Sequence, residues 1–268
     1  MTGSERASIR GGEGSPRMSR EQGFTSDELM TIAAARRLKT AKVVLIGVGK
    51  PSTAAILSRA VHNPDLCLVY ESGTIGAKPF KIPLSIGDGE LAETADVVVS
   101  VPEMFNYWIQ PGRIDVAFLG AAQIDRYGNL NSTVIGDYDH PKTRLPGAGG
   151  APEIAGGCGE VVIVAPHNTR TFVEKVDFLT TVGFGDGQDR DALGFKGSGP
   201  QAIVTDLGLM EPDPETHELT LTGLHPGATA EEVIEKTGWS DLKIGPELTT
   251  TKDPTQQELD VLRELIER

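Results

Sequence analysis

A carboxylate at the end of an apolar segment is the residue of this sequence best placed to do chemistry. Residues 66–70 (Leu-Cys-Leu-Val-Tyr) are apolar, and Glu71 follows them directly, with Gly73 and Gly76 close behind. This pattern predicts a buried strand that delivers Glu71 to a tight turn, where glycines let another molecule approach the backbone. Such a carboxylate can attack a carbonyl carbon. A solvated glutamate at a strand end is the alternative that this segment alone leaves open.

A glycine-rich loop is the second candidate. Residues 146–151 read Pro-Gly-Ala-Gly-Gly-Ala, and the next residue, Pro152, is typical of the first turn of a helix. Backbone N–H groups at such a point can hold an anion or the oxyanion of a tetrahedral intermediate. His140, Lys142 and Arg144, the only dense basic group in the middle of the chain, precede the loop. A carboxylate and an amide loop together favour acyl chemistry, and an ordinary flexible loop is the alternative.

Composition argues against several other functions. The 268 residues carry a net charge of −13, which disfavours binding to nucleic acid or to an anionic membrane surface. No apolar segment approaches the ~20 residues that span a bilayer, and no signal peptide opens the chain, so we expect a cytoplasmic protein. Cys67 and Cys158 lack the spacing of metal ligands, and we expect no metal site.

One short glycine motif resembles part of a cofactor site. Residues 47–51 (Gly-Val-Gly-Lys-Pro) match only half of a dinucleotide-binding fingerprint, because the third glycine is missing. We also expect Pro51 to block the usual helix entry. The sequence therefore does not predict a nicotinamide cofactor.

Apolar segments and helical patterns alternate along the chain. Short apolar strands are predicted at 43–49, 66–70, 97–99, 114–120 and 160–166, with helices such as 26–38 and 52–61 between them. This alternation predicts an α/β fold with an open, mostly parallel, doubly wound sheet and flanking helices. Residues 202–223 predict a small antiparallel hairpin in the C-terminal third, and helices should begin near Thr229 and Thr255.

The limits of the domain follow from the polar and apolar content of the two ends. Residues 1–25 are mostly Gly, Ser, Arg and Glu, which predicts a disordered tail, whereas 26–268 should form one domain. Ser26 is the predicted N-cap of the first helix. The last helix should bury a stripe of Leu259, Leu262 and Ile266. Four histidines are expected at the surface or in packing positions without a defined partner: His62, His167, His217 and His225.

Five segments resemble the B (beta) subunit of family I CoA-transferases. They are residues 70–73, 120–129, 135–144, 146–151 and 204–208, and the resemblance extends over about 26–268. Three further segments, 30–38, 71–79 and 84–96, match the branch that includes the glutaconate and 3-oxoadipate enzymes. Other branches have Glu-Asn-Gly where this chain has Glu-Ser-Gly at 71–73. Because the glutamate is kept, the resemblance still implies CoA transfer, whereas related subunits that lost it act as hydrolases or decarboxylases.

The resemblance implies a fold, a reaction and a partner. The fold would be that of the CoA-transferase and NagB-RpiA-like proteins. CoA would move from succinyl-CoA to 3-oxoadipate through a glutamyl-CoA thioester, as in the beta-ketoadipate pathway of aromatic compound catabolism. Glutaconate or another dicarboxylate as acceptor, or acyl-CoA hydrolysis, are alternatives. CoA thioesters would be substrates and no cofactor is implied. The partner would be an A-type subunit, in an A/B heterodimer or an A2B2 heterotetramer.

The resemblance also implies roles for single residues. Glu71 would be catalytic, and four residues of the glycine loop would form the oxyanion or CoA loop: Gly147, Gly149, Gly150 and Ala151. Candidate contacts with substrate or CoA are Ser72, Gly73, Gln123, Asn131, Lys142 and Arg144. The polar cluster Ser85, Asp88 and Glu90 either lines the site or builds a turn, and we favour the turn. A non-catalytic sugar- or nucleotide-binding regulator is the alternative from another class, and it would form no covalent adduct at Glu71.

Overall fold

Strands and helices alternate through residues 23–267, the part of the chain that this computed structural model describes. The strands are β1 (Val43–Leu45), β2 (Cys67–Val69), β3 (Thr74–Ile75), β4 (Val97–Val98), β5 (Val116–Leu119), β6 (Gln123–Ile124), β7 (Leu130–Asn131), β8 (Val134–Gly136), β9 (Pro141–Arg144), β10 (Glu160–Val164), β11 (Pro200–Val204), β12 (Gly208–Pro212), β13 (Leu219–Leu224) and β14 (Ile244–Thr250). The helices are α1 (Ser26–Arg36), α2 (Lys50–Val61), α3 (Gly89–Thr94), α4 (Val101–Glu103), α5 (Ala151–Gly157), α6 (Ala230–Glu235) and α7 (Gln256–Glu267), and a π-helix (Met104–Ile109) continues α4.

One large sheet contains ten of these strands, in the order β14-β13-β12-β11-β10-β5-β1-β2-β3-β4. The central strands β11, β10, β5, β1 and β2 are parallel. Antiparallel pairs extend the sheet on both sides, through β3 and β4 on one side and through β12 and β13 on the other. The predicted open, mostly parallel, doubly wound sheet with an antiparallel hairpin in the C-terminal third is confirmed.

Successive residues of a strand point to opposite sides of the sheet, and the central strands carry buried residues on both sides. Val44 and Leu68 pack with α1, α2 and α7 on the first face. Leu45 and Val69 pack on the second face, with the π-helix and α5. The chain runs from β1 to β2 on one side and later to β5 on the other, which places the topological switch point between β1 and β5. Ligands of open α/β sheets bind at the carboxyl ends of the strands near such a point.

Two helix starts differ from the prediction. Thr25, not Ser26, is the N-cap of α1: its hydroxyl accepts a hydrogen bond from the Glu28 N–H (3.1 Å), and the Glu28 carboxylate accepts one from the Thr25 N–H (2.7 Å). Residues 1–22 of the predicted tail lie outside the described residues. Pro51 does not block helix entry but lies in the first turn of α2, where a missing N–H group is tolerated.

Side-chain packing corrects two further expectations. The buried stripe of α7 is Leu259, Leu262 and Leu265, whereas Ile266 is 60% exposed. Three of the four histidines, His167, His217 and His225, have hydrogen-bond partners. For example, the ring nitrogens of His167 lie 3.2 Å from Thr205 Oγ1 and 2.9 Å from Thr237 Oγ1, and burial lowers the pKa of His167 to about 3. Such contacts join residues that lie far apart in the sequence, so a short segment of sequence does not predict them.

Strands β9 and β14 form where the sequence predicted no strand. Two of the basic residues before the glycine loop, Lys142 and Arg144, belong to β9, which pairs with β8 as an antiparallel hairpin. Strand β14 is largely exposed and lacks the alternation that predicts strands. Within residues 23–267, no helix combines the length and the apolar composition needed to cross a membrane.

Candidate active site

Glu71 projects from the carboxyl end of β2, the edge at which the parallel central strands end. The preceding residue, Tyr70, is fully buried on the face that packs against α2, and its Oη lies 3.0 Å from Ser52 Oγ of that helix. Because neighbouring residues of an extended chain point to opposite faces, Glu71 is directed to the face of the π-helix and α5. The buried tyrosine therefore sets the orientation of the carboxylate that follows it.

A glycine turn reverses the chain immediately after Glu71. The Gly73 N–H donates to the Tyr70 carbonyl (3.0 Å), and the Val99 N–H donates to the Gly73 carbonyl (2.9 Å). Gly73 has a left-handed φ of 109°, and a Cβ atom there would overlap the Val99 carbonyl oxygen. Only glycine fits this position. The turn thus holds Glu71 and Ser72 at its tip, as the sequence predicted.

The glycine loop meets the Glu71 carboxylate. A Cβ atom on Gly150 would lie 2.7 Å from Glu71 Oε2 and 2.5 Å from Phe105 Cζ. The backbone angles of Gly150 (φ −90°, ψ 1°) are open to other residues, so the close approach is what requires glycine here. The loop is anchored by Ser132, whose carbonyl accepts from the Gly147 N–H and whose hydroxyl donates to the Gly147 carbonyl, both at 2.8 Å.

The backbone N–H groups of the glycine loop differ in whether they already donate a hydrogen bond. The Gly147 N–H is already bonded to Ser132, and the Ala151 N–H donates to the Ala148 carbonyl (3.0 Å). The N–H groups of Gly149 and Gly150 meet no acceptor within residues 23–267. Of the four residues predicted for the loop, these two therefore have amide donors that an incoming oxyanion can use.

The electrostatic environment of Glu71 suits a nucleophile. Burial raises the pKa of its carboxyl group, and no charged group opposes that shift. In the described part of the chain, the carboxylate accepts no hydrogen bond and forms no ion pair. Hydrogen bonds and counter-charges stabilise an anion and so reduce its tendency to react. A partly buried, unpaired carboxylate beside free amides can attack an acyl group and leave the oxyanion with donors.

The family of this chain follows from comparison with known proteins. The sequence profile of the family described as Coenzyme A transferase matches residues 28–236. The chain belongs to the coenzyme A transferase family. The predicted family is confirmed, and the chain is a CoA-transferase chain in its sequence and in its fold.

Two relatives and one solved structure show where this CoA-transferase chain lies within the family. It is 58% identical to the B subunit of 3-oxoadipate CoA-transferase from Pseudomonas knackmussii, over 90% of this chain and 93% of the relative. It is 38% identical to the B subunit of glutaconate CoA-transferase from Acidaminococcus fermentans, over 82% and 85% of the two chains. The crystal structure of glutaconate CoA-transferase from Acidaminococcus fermentans superimposes with a TM-score of 0.85 at 34% identity, covering 91% of this chain and 95% of the other.

Two hydroxyl groups beside the carboxylate of this CoA-transferase chain lack partners. Ser72 Oγ and Thr74 Oγ1 are buried and form no hydrogen bond within residues 23–267. Buried polar groups are usually hydrogen-bonded, so each of these hydroxyls is a deviation from the normal pattern. A contact of Ser72 with substrate stays a prediction.

Gln123 and Asn131 are joined to each other by a hydrogen bond. Both side chains are buried, and Asn131 Nδ2 donates to Gln123 Oε1 (2.7 Å) and to the Val134 carbonyl (2.6 Å). Gln123 Nε2 donates to the Asp177 carboxylate (3.1 Å), and Gln123 Oε1 accepts a hydrogen bond from the Asp177 backbone N–H (2.9 Å). Their amide groups are thus occupied in joining β6, β7 and the chain near Asp177. Direct substrate contact by either residue stays a prediction.

The predicted basic residues lie on the exposed β8–β9 hairpin. Arg144 donates to the Tyr138 carbonyl (2.5 Å), and its guanidinium stacks 4.6 Å from the centre of the Tyr138 ring. Lys142 is exposed on the same strand. Neither residue pairs with Glu71, so the structure does not bring them into contact with the carboxylate, and binding of CoA by them stays a prediction.

The polar cluster after residue 84 builds a turn, as favoured. Asp88 caps α3 by accepting a hydrogen bond from the Glu90 N–H (3.1 Å), and Ser85 Oγ accepts one from the Gly87 N–H (3.2 Å).

Phe105 is the residue of the site that sequence reasoning missed. Its place on the π-helix, against Gly150, shows that it forms a wall of the site.

Proposed function

We propose that this chain is the B-type component of a CoA-transferase that moves CoA from succinyl-CoA to 3-oxoadipate in the beta-ketoadipate pathway. The observation that carries the proposal is the unpaired Glu71 carboxylate close to Gly150, in a loop where the N–H groups of Gly149 and Gly150 have no acceptor within residues 23–267. The acceptor is inferred from the similarity to the 3-oxoadipate CoA-transferase chain of Pseudomonas knackmussii.

The first half of the proposed reaction transfers CoA to the protein. A Glu71 carboxylate oxygen attacks the thioester carbonyl of succinyl-CoA, and the tetrahedral oxyanion receives hydrogen bonds from Gly149 and Gly150. The C–S bond breaks, which gives a succinyl-glutamyl anhydride and CoA thiolate. The thiolate then attacks the glutamyl carbonyl and expels succinate, which leaves a glutamyl-CoA thioester.

The second half repeats these steps with the acceptor. A carboxylate of 3-oxoadipate attacks the glutamyl thioester carbonyl, forming a new anhydride and releasing CoA thiolate. The thiolate attacks the acceptor's carbonyl, gives 3-oxoadipyl-CoA and frees Glu71. These steps use CoA thioesters as substrates and no further cofactor. The anhydrides must be shielded from water, because hydrolysis would end the cycle.

The proposal includes a partner subunit. The relatives that support the assignment are both B subunits, and the Glu71 side chain of this chain is only partly buried. We therefore propose an A-type partner that completes the site, in an A/B heterodimer or an A2B2 heterotetramer, acting in the cytoplasm.

Intact-mass measurement tests the covalent step. The chain is mixed with the A-type subunit of its own organism and succinyl-CoA, without acceptor. We expect a CoA adduct that is absent in Glu71→Gln and kept in Glu153→Gln, an exposed control on α5. Release of CoA and succinate without an adduct would indicate hydrolysis instead. An adduct that survives in Glu71→Gln would place the nucleophile elsewhere.

A second assay tests the acceptor. The complex that forms the adduct is given 3-oxoadipate or glutaconate, and kcat/KM is compared. We expect 3-oxoadipate to be preferred. A preference for glutaconate would keep CoA transfer and replace the proposed acceptor.

A further inference from the structure

Arg190, in the loop between β10 and β11, is a buried arginine that meets no carboxylate. Its side chain is 7% exposed and forms no ion pair within residues 23–267. Burial lowers the pKa of Arg190 to about 10, so the side chain is still charged at neutral pH. Arginine is almost never buried unless it is paired, so other groups must compensate this charge.

Four backbone carbonyl groups surround the Arg190 guanidinium in place of a carboxylate. Nε donates to Gly197 (3.1 Å), Nη1 donates to Val182 (3.0 Å) and Gly183 (2.6 Å), and Nη2 donates to Ala155. The planar guanidinium carries five donors in a fixed fork, whereas the ammonium group of lysine is a single point of charge. Arginine can therefore join three separate segments of the chain at once.

The segment that begins at Arg190 holds the C-terminal end of α5. Ala155 lies in the last turn of this helix, where carbonyl groups lack partners within the helix. The Lys196 N–H donates to the next carbonyl of that turn, Gly156 (3.2 Å). The Phe195 ring lies 4.2 Å from the Arg190 guanidinium carbon, and a Cβ atom on Gly156 would lie 2.9 Å from Phe195 Cδ1. The end of α5 is thus fixed by contacts from outside the helix.

Helix α5 has few features of its own that could fix its position. It ends in two glycines, Gly156 and Gly157, and glycine is the weakest helix former after proline. A Cβ atom on Gly157 would lie 2.6 Å from the Ile109 carbonyl oxygen of the π-helix, so the two backbones approach closely. Backbone contacts on both sides therefore contribute much of what places α5.

The other end of α5 carries the glycine loop of the proposed active site. The Ile154 N–H donates to the Gly150 carbonyl (3.0 Å), and Gly150 lies close to the Glu71 carboxylate. Ala155 follows Gly150 by five positions, about 7.5 Å along a helix axis. No charged group shifts the pKa of Glu71, so the charge of Arg190 does not act on that carboxylate directly. Any effect of Arg190 on the site passes through the position of α5.

We propose that Arg190 is a positioning residue for CoA transfer: through the Ala155 carbonyl, it holds α5 where the glycine loop meets Glu71. This inference rests on the proposed function, in which the amides of Gly149 and Gly150 stabilise an oxyanion. Those hydrogen bonds strengthen in the transition state. Displacement of α5 should therefore lower kcat and leave the KM for succinyl-CoA nearly unchanged.

Arg190→Lys tests the proposal, because lysine keeps the charge but cannot serve all four carbonyls. The kinetics of its complex with the A-type subunit of its own organism are measured, together with hydrogen exchange of the α5 amides by mass spectrometry. We expect kcat to fall about thirtyfold or more, KM to change less than about threefold, and the α5 amides to exchange about tenfold faster.

Arg36→Gln is the matched control. Arg36 also donates to two backbone carbonyls, those of Lys252 and Asp253, but it belongs to the helix layer on the other face of the sheet. We expect Arg36→Gln to lower the melting temperature, to change kcat less than about twofold, and to leave the exchange of α5 as in wild type. The control thus separates a general loss of stability from a displaced α5.

Phe195→Ala keeps the test independent of a folding defect in Arg190→Lys. The Phe195 ring is only partly buried, and its loss uncovers the guanidinium while leaving the four carbonyl partners in place. We expect a smaller effect of the same kind, with kcat lowered about fivefold and faster exchange of the α5 amides.

The outcomes distinguish the proposal from its rivals. Wild-type kcat in both Arg190→Lys and Phe195→Ala would overturn it. A raised KM with unchanged kcat would also overturn it, in favour of substrate contact, and so would a lowered kcat without faster exchange of α5. A wild-type complex that transfers no CoA would reject the proposed function, whereas faster exchange of α5 in Arg190→Lys would then still support the hold of Arg190 on this helix.

Discussion

Nothing in residues 23–267 compensates a negative charge on the Glu71 carboxylate. Burial raises its pKa in the folded chain above the ordinary value of 4.5. The folded state therefore holds this proton more tightly than the unfolded state, and stability falls as pH rises from about 4.5 through the raised pKa. The cost of the buried charge therefore grows as pH rises over this range. This residue is thus unfavourable for the fold and favourable for chemistry.

The variant Glu71→Gln should separate these two effects. We expect it to abolish CoA transfer and to raise the melting temperature at pH about 7.5, because the uncompensated charge is gone. At pH about 4 the carboxylate is largely protonated in both states, so the two proteins should melt at similar temperatures. Thermal denaturation at the two pH values measures this difference. A variant less stable than wild type at neutral pH would show that the carboxylate makes a stabilising contact.

Gly150→Ala should damage the site while leaving the fold intact. The added methyl group would lie 2.7 Å from Glu71 Oε2 and 2.5 Å from Phe105 Cζ. Both neighbours are side-chain ends that can move aside, so we expect the chain to fold with a displaced carboxylate. A displacement near 1 Å costs about a hundredfold in rate. The turnover number of the complex measures this loss, with Gly89→Ala as control because its Cβ position is open. Full activity in Gly150→Ala would contradict the assigned geometry.

At the scale of elements, the turn after β2 depends on Gly73 for two reasons that can be separated. Gly73→Ala combines a left-handed φ with a clash against the Val99 carbonyl, whereas Gly227→Ala has a similar φ (85°) and open space. We expect about 1 kcal/mol of destabilisation for Gly227→Ala and at least about 3 kcal/mol for Gly73→Ala. Urea denaturation measures both. Equal losses would mean that the β2–β3 turn relaxes around the methyl group.

Helices α1, α2 and α7 are joined by the buried Glu258. Arg36 donates to both of its carboxylate oxygens at 2.7 Å, Thr255 donates through its N–H (2.7 Å) and hydroxyl (2.9 Å), and His62 Nε2 lies 3.0 Å away without hydrogen-bond geometry. Burial alone would raise the pKa of Glu258, but the hydrogen bonds from Arg36 and Thr255 outweigh it and lower the pKa to about 2. The ionised network therefore stabilises the helix layer behind the sheet.

Glu258→Gln should remove this stabilisation in a pH-dependent manner. A carboxyl pKa lowered from 4.5 to about 2 corresponds to about 3 kcal/mol of stability, which is present above pH about 4.5 and is lost as pH falls towards 2. We expect the variant to lose about 3 kcal/mol at pH about 7 and the difference from wild type to shrink on acidification. Urea denaturation over this range measures it, with the exposed Glu267→Gln as control on the same helix. A difference that does not change with pH would contradict the lowered pKa.

The sequence predicted the individual strands, turns and helices better than it predicted which of them contact each other. Strand β2, the turn at Gly73 and the helix start after Gly150 follow from local apolar runs and turn residues, which are read within about ten positions. The contact of Gly150 with Glu71 joins residues 79 positions apart, and nothing in either segment indicates its distance. The hydrogen bond between Asn131 and Gln123 was not predicted either, although these residues lie only eight positions apart, because it depends on the pairing of β6 with β7.

At the scale of the whole molecule, the site lies near one edge of the large sheet. Glu71 follows β2, and only β3 and β4 separate that strand from the free edge of the sheet. The loop residue Gly149 is exposed, and so are Val97 and Val98 of β4 at that edge. A nucleophile so near an open edge is well placed for substrates to enter and poorly placed to exclude water. The fold thus supplies the reacting groups without the enclosure that an anhydride requires.

The isolated chain should therefore bind and transfer CoA poorly, although its site residues are in place. We expect the rate of CoA transfer from succinyl-CoA to 3-oxoadipate by the chain alone to be less than about one hundredth of the rate with the A-type subunit, because an open site loses the positioning and water exclusion that closure supplies. Titrating the A-type subunit into a fixed amount of this chain, while following 3-oxoadipyl-CoA, measures the dependence. Wild-type protein should saturate at an equimolar ratio. A full rate without the A-type subunit would show that the chain closes its own site.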